Sequence, residues 1–254
     1  MLSKNKIKFI NSLKLKKFRD SNSMFIAEGN KLVEELISSG LTIHFLIYTS
    51  KWGHKFEIAT NIKELIETDE NGINKISQLK TPPDVIAIAQ FPEYSFSIAE
   101  IRSQLSLVLD DIQDPGNLGT IIRLADWFGI ENFICSTNTV DMFNPKVVQA
   151  SMGALLRVKV HYLDLQKFFN EIAADNIPVF GTYMNGENIY KSQLPDKGLI
   201  VMGNEGNGIS PNIEPFISSK IAIPNFANKT QSSESLNVAV ATGIILSEFK
   251  RQSN

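Results

Sequence analysis

The chain has 254 residues, 43% hydrophobic and 20% charged, which places it among globular proteins of one or two domains and excludes disordered and fibrous classes. A formal net charge of −2 gives no global basic signal, so a nucleic-acid partner has to be argued from local patches and from a site. The single cysteine, Cys135, excludes an internal disulfide, and no apolar run supplies a signal-peptide core or reaches the roughly 18 residues of a membrane span.

Residues up to about Arg19 read as a basic helical stretch that carries Lys14, Lys16, Lys17 and Arg19. A strand is expected over 24–27 and a helix over 30–39, which Gly40 suits as a left-handed cap. A buried strand over 44–48, short helices over 62–67 and 73–79, and a strand over 84–89 complete the first third. The stretch 91–97 has neither period, so a linker is placed at 93–104, between a domain over 1–92 and one over 105–254.

The second domain alternates: a strand from Leu105 to Asp110, a helix over 118–128, a strand over 133–136, a helix over 145–155, a strand over 158–162 and a helix over 165–174. Strands over 179–183, 199–202 and 220–223 and a terminal helix from Leu236 to about Arg251 follow. Such alternation predicts an α/β fold with a mainly parallel sheet covered by helices on both faces, and ligands bound beyond the carboxyl ends of its strands. Cys135 reads as a buried strand thiol.

Three strand-end loops stand out. In the first, Asp114-Pro115-Gly116 signals a turn, Asn117 stands where a helix would be capped, and Arg123 interrupts an apolar helix. Its guanidinium either pairs with an acid such as Asp126 or Asp111 or faces an anion. In the second, a strand runs into Gly203-Asn204-Glu205-Gly206-Asn207-Gly208, which lacks both phosphate-loop and dinucleotide spacing and whose Glu205 suits a cationic ligand better than a triphosphate. In the third, Ile223-Pro224 ends a strand, and a polar loop leads to Ser235-Leu236-Asn237, where helix capping is the ordinary role of Ser235 and Asn237.

Together these segments resemble the three motifs of the SpoU (TrmH-type) branch of the SPOUT RNA methyltransferases, over Leu105 to the C-terminus. Residues 1–90 resemble, more loosely, the L30e-like substrate-binding domain often fused ahead of it. The resemblance implies a trefoil knot, a homodimer, and bound S-adenosylmethionine transferring its methyl group to a ribose 2′-hydroxyl. It places Thr182, Tyr183, Gly203, Gly206, Ile223, Pro224 and Leu236 at the cofactor, and Arg123, Asn117, Glu205, Ser235 and Asn237 at the reaction. The loop after Pro224 is longer than the family's and has no glycine, so contacts there are expected to differ.

A guanidinium gives up its proton with difficulty, which makes a general-base role demanding, so Arg123 is read as a clamp on phosphate and developing alkoxide. Lys14, Lys16, Lys17 and Arg19, with Phe9 and Phe18 interleaved, either grip RNA or form a solvated helix face. Ribosomal RNA is the first expected substrate and transfer RNA the second. The rivals are an RNA-binding protein of this fold without catalysis and a nucleotide-dependent enzyme on a Rossmann-like sheet. No metal is expected from the scattered His44, His54 and His161, and a cytoplasmic location is expected.

Overall fold

The computed structural model describes residues 2–53, 60–227 and 235–253. His54 and residues 228–234 of the loop after Pro224 therefore lie outside the described residues. In chain order the elements begin with α1 (Lys4–Ser12), α2 (Lys16–Asn22), β1 (Met24–Glu28), α3 (Asn30–Ser38), β2 (Ile43–Tyr48), β3 (Leu65–Glu67), α4 (Glu70–Ile76) and β4 (Val85–Gln90). They continue with α5 (Ile98–Ser103), β5 (Leu105–Leu109), α6 (Pro115–Trp127), β6 (Asn132–Ser136), α7 (Pro145–Ser151), β7 (Lys159–Leu163), α8 (Leu165–Ile172), β8 (Val179–Asn188), β9 (Gly198–Met202), β10 (Ser219–Ala222) and α9 (Val238–Gln252).

Two compact units result: residues 1–94 with 141–156, and residues 95–140 with 157–254. The sequence reading left 141–156 with the C-terminal half, yet α7 packs on β1 in the first unit. Around it Phe143 stacks on Phe91 at 3.9 Å between ring centroids and leans on Phe25 at 5.0 Å, so aromatic area tethers the segment. The expected helix over 145–155 ends early, because Met152 and Gly153 take φ of 51° and 89° and the side chain of Glu35 fills the space where a Cβ on Gly153 would go. The expected linker also holds α5, whose N-cap Ser97 accepts from the Glu100 amide.

The first unit carries a four-stranded sheet of order β1-β4-β2-β3. Its core joins Ile10 and Leu13 of the α1 region to Ile26, Ile47, Ile86 and Ile88 of the strands and Ile73 and Ile76 of α4. The helix expected over 62–67 is instead β3, paired in parallel with β2 from Leu46–Leu65 to Tyr48–Glu67. Ile62 and Ile66 are four apart, a spacing that one helix face and one strand face share, and the exposed-buried-exposed pattern of β3 follows the strand.

The second unit is a six-stranded sheet of order β10-β8-β9-β5-β6-β7, parallel throughout. β5, β6 and β9 are buried at every position, as a sheet covered on both faces requires. Leu165, Phe168, Phe169 and Ile172 of the amphipathic α8 pack into a cluster with Val108, Ile134 and Val201. Cys135, on β6, is fully buried, which pushes its thiol well above the ordinary range. β8 runs longer than expected: Gly181 pairs with Lys220 and then Glu187 with Ile221, so residues 182–186 leave the ladder as a bulge. The strand order turns back between β5 and β9, which opens a crevice at their carboxyl ends.

Candidate active site

The three loops singled out in the sequence, and the β8 bulge, all leave the carboxyl edge of the six-stranded sheet. The first is anchored by Asp114, not by Asn117 as the cap reading had it. Asp114 Oδ1 accepts from the Asn117 amide at 2.8 Å, and Pro115 occupies the first helical position, where a missing N–H costs nothing. With the cap supplied elsewhere, the Asn117 side chain is free to bridge.

Its Nδ2 donates to Glu205 Oε1 at 2.9 Å, and its Oδ1 accepts from Asn237 Nδ2 at 2.8 Å. Asn237 Oδ1 caps α9 by accepting from the amides of Ala239 and Val240. The Glu205 carboxylate also receives the amides of Gln113 and Asp114, both at 3.4 Å. A carboxylate accepts and an amide N–H donates, so both asparagines have one permitted orientation and the chain Asn237–Asn117–Glu205 has a fixed direction. It joins the loops after β5, β9 and β10.

A second set of bonds fixes the β9 loop. Asn204 Nδ2 donates to the Asp111 carbonyl at 2.7 Å while its Oδ1 accepts from the amides of Gly206 and Asn207. Asn204 and Gly208 exchange backbone hydrogen bonds, both 2.9 Å, in a tight turn that brings the Gly208–Ile209 backbone where a Cβ on Gly203 would stand. Gly203 is thus required by the loop's own path. Asp111 takes a φ of 62°, stabilised by its amide on Ser136 Oγ and its Oδ1 on Gln113 Nε2.

Arg123 is exposed and has no hydrogen bond or ion pair among the described residues. Both acids that could have held it are engaged: Asp126 takes Arg157 at 2.8–3.0 Å, and Asp111 takes Gln113 and Asn204. Six residues along α6 set Arg123 about 9 Å up the axis from Asn117 and about 120° around it. It shares an exposed stripe with Gly116, Thr120 and Trp127 and stands apart from the polar chain.

The remaining expected residues divide. Ser235 and Leu236 are exposed just before α9, Ile223 and Pro224 lie just past β10, and Thr182 Oγ1 donates to the Val201 carbonyl at 3.0 Å. The Tyr183 ring packs against the core beside Ile217, under Lys220 Nζ at 4.6 Å, and burial, reinforced by Glu214, raises its phenol, which leaves its backbone for the expected cofactor contact. Lys14, Lys16 and Lys17 are exposed, but Arg19 is 2% exposed and pairs with Asp141 at 2.5 Å. A buried, paired guanidinium cannot grip phosphate, so Arg19 leaves the expected RNA-binding set. Phe9 leaves the stacking pair too, with its ring edge-on to Phe45. Sequence reasoning missed Asp114, Asn204 and Asp141; for Asp114 the Asp-Pro pair at a helix start was the available signal.

The β8 bulge and the loops at 203–208 and 223–227 contain no lysine or arginine, and Met184 and Phe226 within them are exposed, as is Leu236 just before α9. Backbone, aliphatic surface and one carboxylate fit a cationic ligand better than a polyphosphate. No helix among the described residues is long and apolar enough to cross a membrane, and no cluster of metal-binding side chains occurs among them.

A parallel α/β sheet with such loops at its switch point defines a ligand-binding α/β domain, accompanied by a smaller α/β unit. Residues 104–247 match the SpoU rRNA Methylase family and residues 4–87 an MRM3-like substrate binding domain. The chain belongs to the SpoU family. It is 28% identical to the 23S rRNA (guanosine(2553)-2'-O)-methyltransferase RlmP of Bacillus subtilis, over 95% of this chain and 94% of that one. A TrmH-family protein of Porphyromonas gingivalis superposes with a TM-score of 0.88 at 38% identity, over 99% of each chain. The AdoMet-bound rRNA methyltransferase of Sinorhizobium meliloti does so at 0.83 and 29%, over 99% of this chain and 97% of that one. The protein is an S-adenosylmethionine-dependent RNA 2′-O-methyltransferase.

Proposed function

We propose that this enzyme methylates a ribose 2′-hydroxyl of ribosomal RNA at the carboxyl edge of its six-stranded sheet, with Arg123 as the residue that meets the RNA. The backbone at Thr182 and Tyr183, with Gly203, Gly206, Ile223, Pro224 and Leu236, would hold the cofactor. S-adenosylmethionine supplies a methyl group on a sulfonium, already a good leaving group. The chain's own residues then have two tasks: to hold the ribose in line and to make its hydroxyl nucleophilic.

The unoccupied guanidinium fork of Arg123 suits a phosphate beside the target ribose and the negative charge that develops on the 2′-oxygen. Asn117, Glu205, Ser235 and Asn237 would orient the ribose from the neighbouring loops. The observation that carries this reading is an exposed guanidinium left without an acid although two acids lie close in sequence. Ribosomal RNA extracted from cells lacking the gene is the test substrate. Methyl from labelled S-adenosylmethionine should enter it at a mapped 2′-oxygen, and incorporation into transfer RNA alone would contradict the ribosomal assignment.

A second copy of the chain completes the assembly in this reading. A groove of about 710 Å³ between α6 and α9 is walled by Leu124, Val240, Gly243 and Ile244, and Trp127 stands at its edge 83% exposed. Two copies about a two-fold axis would each offer Trp127 to the other's groove, a self-complementary contact. Trp127→Glu should sediment as a monomer if this face is the interface. A trefoil knot near β10 and a cytoplasmic location, as the family and an RNA substrate suggest, complete the proposal.

A further inference from the structure

We propose that residues 14–18 form a preshaped RNA-docking knuckle on the N-terminal unit, held from beneath by Arg19, with Lys14 and Lys17 taking phosphates and Phe18 stacking on an unpaired base. This rests on the reading of the protein as an RNA methyltransferase and adds where, and by what geometry, the N-terminal unit meets single-stranded RNA.

Lys14, Leu15, Lys16, Lys17 and Phe18 are five consecutive exposed residues at the junction of α1 and α2. Lys16 is engaged with Asp20 at 2.7 Å, whereas Lys14 and Lys17 form no ion pair among the described residues. Beside these cations Leu15 is 61% and Phe18 38% exposed, which leaves part of an aromatic ring accessible there. Alternating cations and an aromatic ring provide what a single strand offers partners for: phosphates and the π-faces of unstacked bases. Asn11 Nδ2 on the Lys75 carbonyl at 2.9 Å brings a further exposed lysine alongside the same helix.

The underside explains why the knuckle keeps its shape. Arg19 Nη1 donates to the carbonyls of Leu13, the C-cap of α1, at 2.9 Å and of Lys14, just past it, at 2.8 Å. Its Nε and Nη2 donate to Asp141 Oδ2 at 3.0 and 2.5 Å, and Asp141 Oδ1 accepts from the Phe143 amide at 3.0 Å. A buried ion pair contributes little net stability compared with apolar packing, but it fixes one geometry. Here the fixed geometry is the backbone that presents Lys14 and Phe18, so less freedom is lost when RNA binds. Arg19 is a positioning residue.

The full chain is titrated with a fluorescent single-stranded 12-nucleotide RNA and with a 12-base-pair RNA duplex across a salt series. Lys14→Gln with Lys17→Gln should lower the slope of log affinity against log salt by about 1.4, two phosphates at about 0.7 each. Phe18→Ala should weaken single-strand binding about tenfold, with Phe18→Tyr restoring it and the duplex little affected. Arg19→Lys, measured well below its melting temperature, should reproduce the lowered slope although its charge is kept. Unchanged affinity and slope in the Lys14/Lys17 double variant, with wild-type RNA and S-adenosylmethionine binding intact, would overturn the knuckle alone. Failure of the wild type to bind S-adenosylmethionine in calorimetry would instead bring down the reading on which it rests.

Discussion

Two arginines, each written into a helix near other charges or apolar residues, have opposite fates in the two units. Arg19 is enclosed, with four hydrogen bonds to Asp141 and two carbonyls. Arg123 stands in the open with none among the described residues. A guanidinium whose donors are all directed inward shapes the protein; one whose donors are unclaimed is available to a ligand. The sharpest way to break this contrast is Arg123→Ala, for which methyl transfer should fall about a thousandfold. Melting temperature and calorimetric affinity for S-adenosylmethionine should barely change, since an exposed side chain without partners contributes within about 0.5 kcal/mol. Loss of cofactor binding in this variant would remove Arg123 from its proposed place.

Arg19 should behave in the reverse manner. Asp141→Ala leaves a buried guanidinium without its carboxylate and should cost about 3–5 kcal/mol in denaturant unfolding, while Arg19→Met with Asp141→Leu together should cost less than either single change. A double variant as unstable as the sum of the singles would mean that the pair is not coupled.

The sequence made the parallel sheet readable because β5 and β9 are unbroken apolar runs alternating with helices, a pattern local to a few residues. Loop chemistry was readable too, since Asn117, Glu205 and Asn237 each follow a strand. Their connection was not: the bonds joining them span 88 and 120 residues. The burial of Arg19 was hidden for the same reason, its partner being 122 residues away in a segment that packs with the first unit. A run of Lys and Arg carries no local mark of which cation turns inward. β3 was misread because a four-residue spacing fits two periods, and short strands give too few positions to separate them.

Between these extremes, Gly203→Ala tests whether the β9 loop is set by its own packing. A Cβ there meets the Gly208–Ile209 backbone, so overpacking of about 1–3 kcal/mol is expected, along with weakened S-adenosylmethionine binding by calorimetry. Asn117→Asp is nearly isosteric but sets a second carboxylate against Glu205, and should slow methyl transfer more than it lowers the melting temperature.

The smallest expected effect is a pH dependence that separates structural from catalytic titration. His161, on β7, is buried against Phe96, and burial, with Lys159 adding to it and Glu100 opposing it, holds its imidazole below the usual histidine range. The unfolded chain then protonates first, at about pH 6.5, so this contribution is fully present above that value and is lost as pH falls through the lower folded value. His44 on β2 shifts in the same direction. The melting temperature should therefore drop between pH 7.5 and 5.5, and His161→Gln should narrow the drop without abolishing it. A pH profile of methyl transfer that followed His161 after correction for the folded fraction would place that histidine in the reaction, contrary to its burial beneath the sheet's aromatic packing.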